Sequence, residues 1–204
     1  SVEENLFNEN INKSFLRPSD RHTTHRKLLV GEINESLSEV VLPEEETRNN
    51  RVLTTALDPL ISEIDLLKER FGPNRIGVVI GTSTSGISDG ENAIRFHLDH
   101  GKFPDSYHYR KQELSSPSRY ISNLLNLQGP VFSVSTACTS GTKALASAAR
   151  LLRLGVCDAV IAGGVDTLCN MTIEGFSSLS VTTDSVCNPF SVNRDGINIG
   201  EGAG

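Results

Sequence analysis

The segment that most constrains the fold is residues 131–155, VFSVSTACTSGTKALASAARLLRLG. Val131, Phe132 and Val134 form a short apolar run of strand-favouring types, which predicts a short buried strand. Alanine and leucine then recur at helical spacing between positions 144 and 152, and Gly155 is a typical helix stop. Cys138 is therefore predicted to lie in a tight turn where a strand ends and a helix begins.

A cysteine in such a turn has two interpretations. Unpaired amide N–H groups and the positive end of the helix dipole meet there, so the site stabilises a thiolate nucleophile. The same amides could hold the oxyanion of a tetrahedral acyl intermediate. The alternative is an inert buried thiol, which is the usual role of a free cysteine. We expect that role for Cys157 and Cys169, which flank a predicted strand.

Composition excludes several classes of function. The 204 residues allow one large domain or two small ones, and the net charge of −6 argues against a nucleic-acid surface. No apolar run reaches membrane-spanning length, and no signal peptide is visible. The cysteines lack the spacing of a zinc site, so we expect a reduced, cytoplasmic protein without a metal or membrane partner.

Strands alternate with helices along most of the chain, which predicts an α/β fold with a largely parallel sheet. We expect a helix start at 1–8, a polar loop at 12–24 and one helix from 52 to 67 that ends at Gly72. The further predicted strands are 26–33, 75–81 and 159–162, and the further predicted helices are 87–100, 114–127 and 172–178.

Two glycine-rich runs and two histidine pairs are weaker signals. The loop GTSTSG at 81–86 lacks the lysine of a phosphate-binding loop, and the glycines at 200–204 lack a dinucleotide-binding context. We interpret both as places where backbones approach closely. The pairs His22/His25 and His97/His100 have no third ligand nearby in the sequence, so we expect exposed polar residues rather than a metal site.

Four segments resemble the β-ketoacyl-[acyl-carrier-protein] synthases, which have the thiolase fold. They are RIGVVIGTSTSGI, STACTSG around Cys138, DAVIAGGVD and NPFSVNRDGINIGEGAG, and they occur in the family's order and spacing. The resemblance implies an α/β, thiolase-like fold in which 1–204 form one half, a mixed and mostly parallel sheet flanked by helices. It identifies the chain as the N-terminal domain, without the family's first strand and C-terminal half.

The resemblance also implies a reaction. Cys138 accepts an acyl group as a thioester, and its amide contributes to the oxyanion hole. Malonyl-acyl carrier protein then loses carbon dioxide and attacks the thioester, as in fatty-acid or polyketide (polyene-type) biosynthesis. Thr84 and Phe176 match positions that line the acyl pocket. No cofactor is implied beyond the phosphopantetheine of acyl carrier protein or coenzyme A, and the expected partners are the carrier protein and a second copy of the parent protein.

One departure from the family limits this expectation. The family's two enolate-stabilising histidines and its lysine follow the cysteine, whereas all five histidines here precede Cys138. We therefore expect the 204-residue chain to be inactive in condensation and, with half of the fold absent, to self-associate. The alternatives are a non-catalytic partner subunit, which in some polyketide synthases lacks the cysteine, and another thiolase-fold acyltransferase.

Overall fold

A computed structural model describes residues 16–23 and 27–204. The helix start predicted at 1–8 lies outside the described residues. The strands are β1 (Arg17–Ser19), β2 (Leu28–Gly31), β3 (Ile76–Gly81), β4 (Val131–Val134), β5 (Ala159–Asp166), β6 (Ile199–Gly200) and β7 (Gly202–Ala203). The α-helices are α1 (Arg48–Leu57), α2 (Ile61–Phe71), α3 (Ile87–His100), α4 (Ser116–Leu125), α5 (Ser140–Arg153) and α6 (Asn170–Ser178).

The strands form two sheets. The larger sheet has the order β4-β3-β5-β7; its first three strands are parallel, and β7 runs antiparallel to β5. The smaller sheet has the order β1-β2-β6, with β1 antiparallel and β6 parallel to β2. The predicted mixed, mostly parallel sheet flanked by helices is confirmed.

Strand β3 is covered on both faces and is buried at every position. On one face, Val78 and Ile80 join a hydrophobic core with apolar side chains of α1 and α4. The intervening positions of a strand point to the opposite face, where α5 packs across β3, β4 and β5. This arrangement explains the continuous apolar run of β3 and fixes α5 directly against the sheet.

Three predicted elements differ from the structure. The helix expected from 52 to 67 is two helices, because Asp58–Leu60 form a 3-10 turn around Pro59; proline removes a helical donor and clashes with the preceding turn. The loop expected at 12–24 contains β1, a short edge strand that forms by pairing with β2 rather than through an apolar pattern of its own. The strand predicted at 159–162 continues to Asp166.

None of the described helices is both long and apolar enough to cross a membrane.

Candidate active site

Cys138 lies in the turn that joins the end of β4 to the start of α5, as the sequence predicts. All four cysteines are described and free, and only Cys138 among them is exposed. Cys157 and Cys169 are buried, which confirms their predicted core role. Burial raises the pKa of each of these two thiols above its ordinary value. Cys138 is therefore the most accessible of the four thiols, and its role as nucleophile stays a prediction.

The turn around Cys138 is strained and is held by local hydrogen bonds. Ala137, the preceding residue, has a φ of 52°, a conformation that non-glycine residues rarely adopt. Ser140 stabilises it by donating from its amide (3.0 Å) and its hydroxyl (2.6 Å) to the Ala137 carbonyl. The Ser140 hydroxyl also accepts from the Thr136 amide at 2.9 Å. Such strain is typical of functional turns that a surrounding fold holds in place.

Glycines allow the start of α5 to contact the sheet backbone directly. A Cβ on Gly81 would lie 2.5 Å from the Gly141 nitrogen and would also overlap Ser140. A Cβ on Gly164, in the neighbouring strand, would lie 3.3 Å from the Cα of Gly141. Since no side chain separates these backbones, β3 and β5 fix the position of the helix start and of the Cys138 turn before it.

Asp166, at the end of β5, binds the loop that follows β3. Its carboxylate accepts hydrogen bonds from the Thr82 hydroxyl (3.1 Å), the Ser83 amide (2.7 Å) and hydroxyl (3.0 Å), and the Thr84 amide (2.9 Å) and hydroxyl (2.9 Å). The same loop is joined to β4, because the Thr82 amide donates to the Val134 carbonyl at 3.1 Å. The loop 82–85 therefore connects Asp166 to the strand that leads into the Cys138 turn.

The three predicted site residues lie on segments that follow neighbouring parallel strands. Thr84 follows β3, Cys138 follows β4, and Phe176 lies on α6, which follows β5. The carboxyl ends of parallel strands share one edge of the sheet, so these segments leave the same edge. Thr84 is 4 % exposed, and Phe176 is partly buried. Their roles in an acyl pocket remain predictions.

Residues 41–204 match the family model described as Beta-ketoacyl synthase, N-terminal domain. The chain belongs to the β-ketoacyl synthase family. Nodulation protein E of Rhizobium meliloti is 34 % identical to it over 131 residues, which are 64 % of this chain and 33 % of that protein. The 3-oxoacyl-[acyl-carrier-protein] synthase 2 of Staphylococcus aureus is 34 % identical over 138 residues, which are 64 % of this chain and 34 % of that protein.

A solved ketosynthase confirms the thiolase-like fold. The structure of the ketosynthase ApeO in complex with its chain length factor ApeC, from Xenorhabdus doucetiae, superposes with a TM-score of 0.84 at 38 % identity. The match covers 91 % of this chain and 47 % of that one. The chain thus spans about a third of the length of the two curated relatives and about half of the solved ketosynthase chain.

This β-ketoacyl synthase family chain also contains a buried carboxylate, Glu201, whose structural role the sequence did not reveal. Its side chain is fully buried and accepts hydrogen bonds from the Arg48 guanidinium, the Ile33 amide (2.9 Å) and the Leu168 amide (3.3 Å). Burial by itself raises the pKa of a carboxyl group, but here these hydrogen bonds outweigh burial and hold the pKa of Glu201 below its ordinary value. Glu201 therefore joins α1 to the segment that leads into α6.

The described histidines His22 and His97 contact side chains of other segments. His22 is buried, contrary to the expectation of an exposed residue, and its ring hydrogen-bonds the Asn170 side chain at 3.2 Å. His97 stacks on Phe103 with ring centroids 4.5 Å apart. His25 lies outside the described residues. Within residues 16–23 and 27–204, no group of three or more His, Cys, Asp or Glu side chains is placed to hold a metal ion.

Proposed function

We propose that the protein containing this chain catalyses decarboxylative condensation of an acyl thioester, carried on Cys138, with malonyl-acyl carrier protein. The observation that carries the proposal is the exposed residue Cys138 in a strained turn directly before α5. Membership of the β-ketoacyl synthase family supports it. The setting is fatty-acid or polyketide biosynthesis, and the relatives that make 3-oxoacyl-carrier proteins support that class of substrate.

Acylation of the cysteine is the first step. The Cys138 thiolate attacks the carbonyl carbon of an acyl group carried on phosphopantetheine, a carbon–sulfur bond forms, and the carrier thiol leaves. The amide of Cys138, at the start of a helix, stabilises the oxyanion of the tetrahedral intermediate. Phosphopantetheine of the carrier protein or coenzyme A delivers the substrate, and the reaction needs no other cofactor.

Condensation is the second step. Malonyl-carrier protein loses carbon dioxide, and the resulting carbanion attacks the acyl thioester carbon. A carbon–carbon bond forms, the bond to the Cys138 sulfur breaks, and a β-ketoacyl thioester two carbons longer leaves on the carrier protein. The chain has no histidine after Cys138, so we propose that the 204-residue chain accepts an acyl group but does not complete this step by itself.

An acylation assay followed by a condensation assay tests both statements. Radiolabelled acyl-carrier protein is incubated with the chain, and intact mass spectrometry counts acyl groups. We expect the unmodified chain to carry one acyl group and Cys138→Ala to carry none. The matched control is Cys187→Ala, which removes a partly buried cysteine and should retain the acyl group. Addition of malonyl-carrier protein should give no β-ketoacyl product. Label retained in Cys138→Ala would refute the nucleophile, and product from the chain by itself would refute the need for further residues.

The assay also separates this function from the alternatives. A partner subunit without catalysis would leave Cys138 unlabelled. A different thiolase-fold acyltransferase would accept the label on Cys138 and pass it to an acceptor other than malonyl-carrier protein. The presence of an exposed Cys138 favours the condensing enzyme over the partner subunit.

Partners and location complete the proposal. We propose acyl carrier protein as the protein partner and a homodimer as the assembly of the parent protein, on the basis of the family resemblance. The four free cysteines support a reducing, cytoplasmic location.

A further inference from the structure

We propose that Ser140 is a positioning residue that aims the backbone amide of Cys138 at the oxyanion formed when this cysteine is acylated. It does so by holding the carbonyl of Ala137, which belongs to the same peptide unit as the Cys138 amide. This inference rests on the proposed function, because that function supplies the oxyanion. The role of Ser140 lies in the orientation of one peptide plane and not in contact with the substrate.

The orientation follows from the geometry of the peptide bond. The atoms that join Ala137 to Cys138 lie close to one plane, and in a trans peptide the C=O and N–H bonds point in opposite directions. The Ala137 carbonyl accepts hydrogen bonds from the Ser140 amide at 3.0 Å and from the Ser140 hydroxyl at 2.6 Å. Because this carbonyl is directed at the first residue of α5, the Cys138 amide is directed away from that residue.

The Cys138 amide is available to a ligand. Within residues 16–23 and 27–204, no backbone or side-chain oxygen accepts a hydrogen bond from it. An acyl carbon bonded to the Cys138 sulfur is only a few bonds from this N–H group, so the oxyanion of its tetrahedral intermediate can accept from it. A donor that is already aimed at the oxyanion needs no reorganisation during the reaction, which is why its direction affects the rate.

Ser140 can serve as an anchor because its own position is fixed. The residue is buried, and a Cβ on Gly81 would lie 2.4 Å from its carbonyl carbon, so Ser140 lies directly against the backbone of β3. Its hydroxyl also accepts from the Thr136 amide at 2.9 Å. One side chain therefore binds two consecutive residues, Thr136 and Ala137, to the start of α5.

The backbone strain at Ala137 shows what the hydroxyl opposes. A φ of 52° is rare for alanine and persists only where the surroundings hold it. In Ser140→Ala, the Ala137 carbonyl keeps only its bond from the amide of residue 140, and the Thr136 amide loses its acceptor. The peptide unit then relaxes towards an unstrained conformation, and the Cys138 N–H turns with it. We therefore expect the variant to lose stabilisation of the oxyanion rather than access to the sulfur.

Two small reagents separate these effects at Cys138. With p-nitrophenyl acetate, the sulfur bonds to the ester carbonyl carbon, an oxyanion forms and collapses, and p-nitrophenolate leaves. With iodoacetamide, a carbon–sulfur bond forms and iodide leaves, without an oxyanion. Both reactions consume the thiolate, so the ratio of the acetylation rate to the alkylation rate does not depend on the amount of thiolate. Intact mass spectrometry measures both rates, with the reaction of Cys138→Ala subtracted.

In Ser140→Ala we expect this ratio to fall about tenfold or more, while the alkylation rate changes less than about threefold. The matched control is Ser147→Ala, the same change in the same helix. Ser147 is exposed, and its hydroxyl donates to the Lys143 carbonyl at 2.8 Å, so the ratio should stay as in the unmodified chain. An unchanged ratio in a folded Ser140→Ala chain, or an equal fall in both rates, would overturn the inference.

A double variant keeps the test decisive if Ser140→Ala does not fold. Glycine adopts a φ near 52° without the penalty of a Cβ, so Ala137→Gly added to Ser140→Ala should restore much of the lost Tm. The ratio should stay low, because the carbonyl of residue 137 still lacks its hydroxyl partner. A ratio that recovers together with the Tm would overturn the inference, since Ser140 would then only stabilise the turn.

Two further outcomes separate this inference from the proposed function. An unmodified chain whose Cys138 is alkylated but not acetylated would overturn the inference, because its amide would then stabilise no oxyanion. Failure of acyl transfer from acyl carrier protein, with the expected fall of the ratio in Ser140→Ala, would instead count against the proposed function.

Discussion

The direct contact between β3 and α5 predicts that a single added methyl group at Gly81 will strongly destabilise the chain. Its Cβ would lie 2.5 Å from both the Gly141 nitrogen and the Ser140 oxygen. These are backbone atoms of a helix, so no side chain can turn away to make room. Overpacking of this kind costs about 1–3 kcal/mol, and the rigid neighbours place Gly81→Ala at about 3 kcal/mol. For a chain of this size that corresponds to a fall in Tm of about 6–12 °C.

The assay compares Gly81→Ala with Gly175→Ala by thermal and urea unfolding. Gly175 lies in α6, and a Cβ there would meet nothing within 4 Å. Alanine should therefore stabilise that helix by about 0.5–1 kcal/mol. We also expect Gly81→Ala to change the rate of Cys138 alkylation, because a displaced helix start moves the turn that carries the sulfur. A Tm within about 1 °C of the unmodified chain would refute the claim that β3 and α5 meet backbone to backbone.

Three further predictions follow from burial and charge. Limited iodoacetamide at pH 7.5 should modify Cys138 before Cys157 and Cys169, whose burial and raised pKa leave little thiolate; peptide mapping measures the order, and equal rates would contradict the site. Glu201→Gln should lower the free energy of unfolding by about 2–4 kcal/mol, since it leaves a half-buried arginine unpaired. The pKa of Glu201 is lower in the folded chain than its unfolded value of about 4.3, so the ionised carboxylate stabilises the fold fully above about pH 4.3. This stabilisation is lost as the pH falls through the folded-state pKa. In urea melts, the free energy of unfolding of Glu201→Gln should therefore fall less in acid than that of the unmodified chain. Sedimentation of the chain should show self-association, because apolar side chains such as Phe190 are fully exposed; a monodisperse monomer would contradict this expectation.

Elements with strong local patterns could be predicted from the sequence. The helix expected at 87–100 is α3, with the same bounds, and the turn at Cys138 lies where the change from strand to helix pattern places it. The two helices that replace 52–67 were missed because the apolar pattern continues across Pro59. The proline itself was the available signal, and its effect on the preceding turn decides the boundary.

The contacts of the carboxylates Glu201 and Asp166 could not be predicted in the same way, because their partners are distant in the sequence. Glu201 pairs with Arg48, 153 residues earlier, and Asp166 binds a loop about 83 residues earlier. Neither separation has a local pattern. For Asp166 a signal did exist: an acidic residue ends one parallel strand, and a loop rich in serine and threonine follows another. Ends of parallel strands meet at one edge of a sheet, so the two could have been matched.

Asp158 immediately precedes β5 and Asp166 ends it, so a carboxylate lies at each end of this strand. Asp158 is partly exposed, and Arg75, its partner, also donates to the carbonyls of Gly155 and Val156, so that end is closed by a surface ion pair. Solvent screens such a pair, and its loss should change stability little. Asp166 has no comparable ion pair among its described hydrogen-bond partners, which are all neutral donors of residues 82–84. Hydrogen bonds from neutral donors fix the orientation of the loop without neutralising the carboxylate, so the contribution of Asp166 is to hold the loop 82–84 in one conformation.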